Sequence, residues 1–142
     1  MATVSTPHPP SVASASQPGL TLTTHNNAGI SAVRRHLSDA LQARNCAEHL
    51  IDAATLVATE LISNALQHTA AAGTPTGARL DVHWDGRRLL LAVTDPDPRP
   101  PAPCTSDAGA EHGRGLALLD ALATDWGTRP VATGKTVWCH LA

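Results

Sequence analysis

The 142-residue chain predicts an α+β fold: a two-layer α/β sandwich with a mixed, mainly antiparallel sheet and helices packed on one face. Three observations predict it. Two helical patterns follow one another between Ala28 and Thr69. Period-2 strands follow around the turn signal Asp85-Gly86. Helices and strands therefore lie in blocks along the chain, not in the βαβ alternation of a parallel sheet.

Met1 to Pro18 is rich in Pro, Ser and Ala and predicts a disordered tail ahead of a single domain over residues 19–142. Gly19 to Thr23 alternates as a short strand at a sheet edge. Asn26 or Asn27 caps a helix from about Ala28 to Arg44, with Ile30, Val33, Leu37 and Leu41 as its apolar stripe. A second helix spans about Ala47 to Thr69, and Ala70 to Gly77 breaks it with two glycines and a proline. Leu80, Val82 and Trp84 alternate with polar residues as one arm of a hairpin. Arg88 to Thr94 returns as the other arm. Leu90 and Ala92 make its second face apolar as well, so this strand is central. Asp95 to Pro103 carries too many prolines to continue a ladder and forms a stiff loop. A third helix runs from Leu116 to about Ala123. Trp126 to Val131 and Thr136 to Leu141 close the chain as two strands joined around Gly134-Lys135.

Composition excludes several classes. The net charge is −2, which leaves no basic footprint for nucleic acid and no polybasic membrane patch. Phe and Tyr are absent, so the usual base-stacking platforms are missing. Cys46, Cys104 and Cys139 are widely spaced without a CxxC pair, which points to a reducing cytoplasm and away from a disulfide framework or zinc site. No apolar run approaches a membrane span.

Four pieces carry chemistry. On the second helix, stepping ~100° per residue puts Glu60, Asn64 and His68 within about 80° of one another. This polar stripe flanks the apolar arc instead of opposing it, so it lies at the edge of a core. A carboxamide oxygen at Asn64 can ligate Mg²⁺, and a carboxylate one turn earlier can accept a proton. Asp95 ends the apolar central strand, where a carboxylate can read an exocyclic amino group. Gly113-Arg114-Gly115 precedes a helix and makes either a simple turn or a phosphate site. Lys135-Thr136 enters the last strand, where Thr136 can back a nucleotide by hydrogen bonding.

In this order the pieces resemble the GHKL, or Bergerat-fold, ATP-binding superfamily. Glu60-Leu61-Ile62-Ser63-Asn64-Ala65-Leu66-Gln67-His68 is similar to its N box, and Asp95 stands where its first glycine-box aspartate stands. His112-Gly113-Arg114-Gly115-Leu116 is similar to its second glycine box, and Gly134-Lys135-Thr136-Val137-Trp138 to its closing segment. The branch most resembled is that of the small anti-sigma-factor serine/threonine kinases of actinobacterial type. The resemblance implies ATP and Mg²⁺ as cofactors. It implies Asn64 as the metal ligand, Glu60 as general base and Asp95 as the reader of the adenine amino group. It further implies Gly113, Gly115 and Leu116 at the phosphate end, Arg114 toward phosphate or solvent, Thr136 behind the adenine and His68 lining the pocket. The implied partners are a STAS-domain anti-anti-sigma protein, whose Ser or Thr takes the phosphoryl group, and a sigma factor; a homodimer is a further expectation.

The chain departs from the superfamily at one place. Where Asp-x-Gly-x-Gly is usual, it reads Asp95-Pro96-Asp97-Pro98, and proline fixes φ where glycine would leave it free. The alternative reading is therefore a nucleotide-binding or protein-interaction module without kinase turnover.

Overall fold

Leu89 to Val93 is a run of apolar residues with both faces covered, and it forms the middle of the sheet. In the computed structural model the described residues are 19–72, 77–95, 117–131 and 134–142, with side chains described only as far as Gln67 in the second helix. The tail over residues 1–18, the Pro-rich loop after Asp95 and the Gly113–Leu116 segment lie outside them.

The strands are β1 (Leu20–Thr24), β2 (Ala78–Trp84), β3 (Leu89–Asp95), β4 (Asp125–Val131) and β5 (Gly134–Leu141). The helices are α1 (Ile30–Ala43), α2 (Glu48–Ala72) and α3, whose described part is residues 117–122. The sheet order is β1-β2-β3-β5-β4. Every neighbouring pair is antiparallel, so no part of the described sheet is mixed. β1 is the edge strand the sequence predicts. The Asp85-Gly86 turn also forms as expected, with Gly86 at φ 92° and the Asp85 carboxylate accepting from the Arg87 and Arg88 amides at 2.8 and 2.7 Å.

Local chemistry sets the helix ends. Asn26 caps a single 3-10 turn, Asn27–Gly29, by accepting from the Gly29 amide at 3.2 Å. The Thr24 hydroxyl donates to the Asn26 carbonyl at 2.8 Å, and a Cβ on Gly29 would run into that hydroxyl. The helix proper therefore begins at Ile30, two residues later than the sequence predicts. α1 stops in a Schellman motif. Asn45 takes the left-handed conformation at φ 60°, the Cys46 amide donates to the Leu41 carbonyl and the Asn45 amide to that of Gln42. α2 runs three residues past the predicted end because Ala70 to Ala72 are strong helix formers.

The main core lies between the helices and one face of the sheet. Leu37, Leu41, Ala54 and Val57 from the helices meet Leu80, Leu89, Leu91, Cys139 and Leu141 from the strands. Each buried Leu contributes about 1.5–3 kcal/mol of hydrophobic stabilisation relative to exposure. Leu119 of α3 is 0% exposed in the same cluster, and Trp126 Nε1 donates to Asp120 at 2.8 Å, so α3 is fastened to β4. Leu90, Ala92 and Trp138 form a smaller cluster on the opposite sheet face.

Candidate functional site

Leu61, Ile62, Ala65 and Leu66 of α2 are buried, while Glu60 and Asn64 between them are half-buried. The apolar arc of the helix turns onto the sheet and carries its polar flank to the rim of the core. Glu60 and Asn64 thus sit one turn apart on one stripe, as the period of the helix requires. The His68 side chain lies outside the described residues.

α2 packs on β2, β3 and β5. On β3, Leu89, Leu91 and Val93 point into the helix-side core, so alternation aims Asp95 to that same side. Asp95 is 4% exposed at the C-terminal end of the strand. Glu60, Asn64 and Asp95 therefore belong to the facing surfaces of the two layers. The carboxamide oxygen of Asn64 is the kind of ligand taken by a hard cation that leans on phosphate oxygens and keeps few protein ligands. Among the described residues no group of three His, Cys, Asp or Glu stands ready to cage a metal unaided.

The residue opposite Asp95 is Lys135, and the two share a buried ion pair. Lys135 Nζ stands 3.1 Å from Asp95 Oδ2 and 3.2 Å from Oδ1. Thr136 is one position further along β5 and so projects from the other face, with its hydroxyl 2.8 Å from that of Thr94. Its side chain therefore does not share a face with Asp95. The residue missed is Lys135. The signal that finds it is the parity of Val137, Cys139 and Leu141, which count back to 135 on the core side. Trp138 obscures that parity by making the even face apolar too.

Gly113, Arg114, Gly115 and Leu116 lie outside the described residues. A shallow concavity at the α1–α2 connection is lined by Ser38, Gln42, Asn45, Cys46 and Asp52. Asp52 lies ~12 Å along the helix axis from Glu60, so that hollow is separate from the stripe.

Two thiols are poor nucleophiles. Burial pushes the Cys139 thiol up to about 12, with the nearby Asp125 charge adding to the effect. Burial also raises Cys46, against a smaller opposing pull from Arg44. Both therefore stay protonated near neutrality and behave as small apolar residues. On the second face His140 Nδ1 lies 2.8 Å from Asp125 Oδ1, which ties β5 to β4, and its ring meets that of Trp138 on the same strand edge-on at 5.5 Å.

Comparison with known proteins agrees with this arrangement. The family model of the histidine kinase-like ATPase domain matches residues 23–140, from β1 through β5. An uncharacterized protein of Streptomyces coelicolor is 42% identical over 86 residues, which is 59% of this chain and 80% of that protein. No described helix is long and apolar enough to cross a membrane. The match takes in the helix with the Glu60–Asn64 stripe, the strand ending at Asp95 and the entry to β5 at Lys135, and the chain belongs to the histidine kinase-like ATPase domain family, a GHKL-type fold.

Proposed function

We propose that the domain binds Mg-ATP between α2 and the end of β3. It passes the γ-phosphoryl group to a Ser or Thr of a STAS-domain anti-anti-sigma partner and thereby controls a sigma factor in the cytoplasm. The observation that carries this reading is the buried Asp95 carboxylate on the sheet surface facing the helix that bears the half-buried Glu60–Asn64 stripe. Asp95 accepts from the adenine amino group. Asn64 would hold a Mg²⁺ ion through its carboxamide oxygen, and the ion would supply charge neutralisation for phosphoryl transfer. Glu60 takes the proton of the attacking hydroxyl as the new oxygen–phosphorus bond forms and the bond to the ADP leaving oxygen breaks. Gly113, Arg114, Gly115 and Leu116 close the phosphate end, with their amides and the helix start as donors.

The test is direct. The protein is incubated with labelled ATP, Mg²⁺ and the STAS-domain proteins encoded by the same organism. Label on a Ser or Thr of one of them is the expected result. Nucleotide binding with no transfer to any of them refutes the kinase step.

A second reading keeps the nucleotide and drops the turnover. The Pro96-Asp97-Pro98 sequence after Asp95 favours it, because proline fixes φ where the superfamily's glycines leave it free. The domain is then a nucleotide-gated scaffold for its protein partners.

A further inference from the structure

We infer that the proline-rich segment Met1 to Pro18 docks as an extended strap across the sheet face opposite the helices, with Pro7 to Val12 over Trp138; this does not depend on the nucleotide site proposed above. α1, α2 and α3 all contribute to the core on the other face. Strand pairing lays out what the second face carries. His83, Leu90 and His140 form one row across β2, β3 and β5, and Ala92, Trp138 and Gly127 form the next across β3, β5 and β4. Among the described residues no helix or further strand lies over these rows. Yet Trp138 is 1% exposed and Leu90 3%. An indole is too large for its neighbours in the sheet to hide, since Ala92 on one side is small and Gly127 on the other has no side chain. Two polar atoms of this face, Trp138 Nε1 and His83 Nδ1, are buried and have no hydrogen-bond partner among the described residues. Buried groups in that condition are rare, because an unmade bond costs the full desolvation of the group.

The segment before β1 has the reach and the chemistry to cover this face. It enters at the matching corner: Leu20 pairs with Val82, so Gly19 arrives beside His83. Pro18-Gly19 is a turn signal that takes the chain out of the line of β1. The stretch from Pro10 to Gly19 extends ~28 Å in a polyproline II conformation at ~3.1 Å per residue. β5 is the third strand from β1, which puts Trp138 ~14 Å across the sheet at ~4.8 Å per strand, so the prolines reach it with chain to spare. Residues 1–18 contain no Asp, Glu, Lys or Arg, so laying them on an apolar strip buries no acidic or basic side chain other than His8. Pro7-His8-Pro9-Pro10 has the PxxP spacing of segments that dock extended against aromatic rings. Carbonyls in that conformation make no bonds within their own segment, so one accepts from Trp138 Nε1, and proline nitrogens carry no hydrogen to be left unpaired. Ser14 and Ser16, nearer the corner, bring hydroxyls to His83 Nδ1. The rival occupant is a second copy presenting the same face, and it brings a sheet whose backbone carbonyls are already paired.

The experiment is NMR of the full chain, in a uniformly isotope-labelled sample and in a mixture of labelled with unlabelled chains. The expected result is nuclear Overhauser contacts, within one chain, between the Trp138 indole protons and the ring protons of Pro7, Pro9 or Pro10, together with slow solvent exchange of the Trp138 Nε1 proton. The triple variant Pro7→Gly, Pro9→Gly, Pro10→Gly changes no described helix or strand, and it is expected to speed exchange of that proton about tenfold or more. Contacts that run from the indole to another copy in the mixed sample make the cover a second chain and overturn the inference. Contacts from the indole to residues 96–116 in place of the strap overturn it too, as does an indole proton that exchanges freely in the wild type. A triple variant with wild-type exchange also overturns it, because something other than the prolines then shields the indole.

Discussion

Removing the Asp95 carboxylate leaves an ammonium in a place where water cannot reach it. The Lys135 side chain is 7% exposed and that of Asp95 is 5% exposed, so neither has solvent to fall back on. Breaking a buried pair from one side costs about 3–5 kcal/mol. Asp95→Ala is therefore expected to lose about that much, a large share of the ~5–15 kcal/mol that holds a domain together. At ~3 °C per kcal/mol for a chain of this size the melting temperature falls by about 10 °C or more. The double variant Asp95→Ala/Lys135→Met removes both charges and is expected to regain most of the loss, to within about 1 kcal/mol of the wild type. Urea unfolding of the four proteins without nucleotide, read as a double-mutant cycle, gives the coupling directly. If Asp95→Ala costs under about 1 kcal/mol, the pair behaves like an exposed one and the buried site described here is wrong.

Other expectations concern separate parts of the molecule. Glu60→Gln keeps the shape of the side chain and loses the base, so it is expected to retain ATP binding while phosphoryl transfer slows by about 10²–10⁴-fold in single-turnover measurements. Cys139 titrates at about 12 in the folded protein, above its unfolded value of about 8.5, so the native state holds its proton longer. Its contribution to stability is full below about pH 8.5 and is lost as pH rises toward 12, and Cys139→Ala flattens that alkaline limb in urea titrations. Ala47 accepts the first amide bonds of α2, from Leu50 and Ile51, through its carbonyl and has no side-chain acceptor. Ala47→Ser adds one and is expected to stabilise the fold by about 0.5–2 kcal/mol in thermal unfolding.

Much of this architecture is legible in the residues, and the reasons differ from element to element. β3 reads as central because Leu90 and Ala92 are as apolar as Leu89, Leu91 and Val93, and only a strand covered on both sides tolerates that. The Glu60–Asn64 stripe reads as a rim because a 3.6-residue period leaves no other place for it. Two features are hidden for physical reasons. The left-handed Asn45 that ends α1 belongs to a residue type equally at home in ordinary turns. The face of Lys135 depends on a one-residue register, and a slip of one exchanges it with Thr136. Since Trp138 and Val137 are both apolar, hydrophobic pattern alone does not settle which neighbour faces the helices. The β3–β5 pairing does, by placing Lys135 opposite Asp95 and Thr136 opposite Thr94.

The central claim is that the helix stripe and the strand end form one metal-dependent nucleotide site. Calorimetric titration of ATP into the wild type and Asn64→Ala, each with Mg²⁺ and with a chelator, tests it most directly. The account predicts that the wild type binds ATP with Mg²⁺, and that removing the ion or the Asn64 carboxamide weakens binding by about tenfold or more, the value of one strong polar contact. Equal ATP affinity in all four titrations would contradict it.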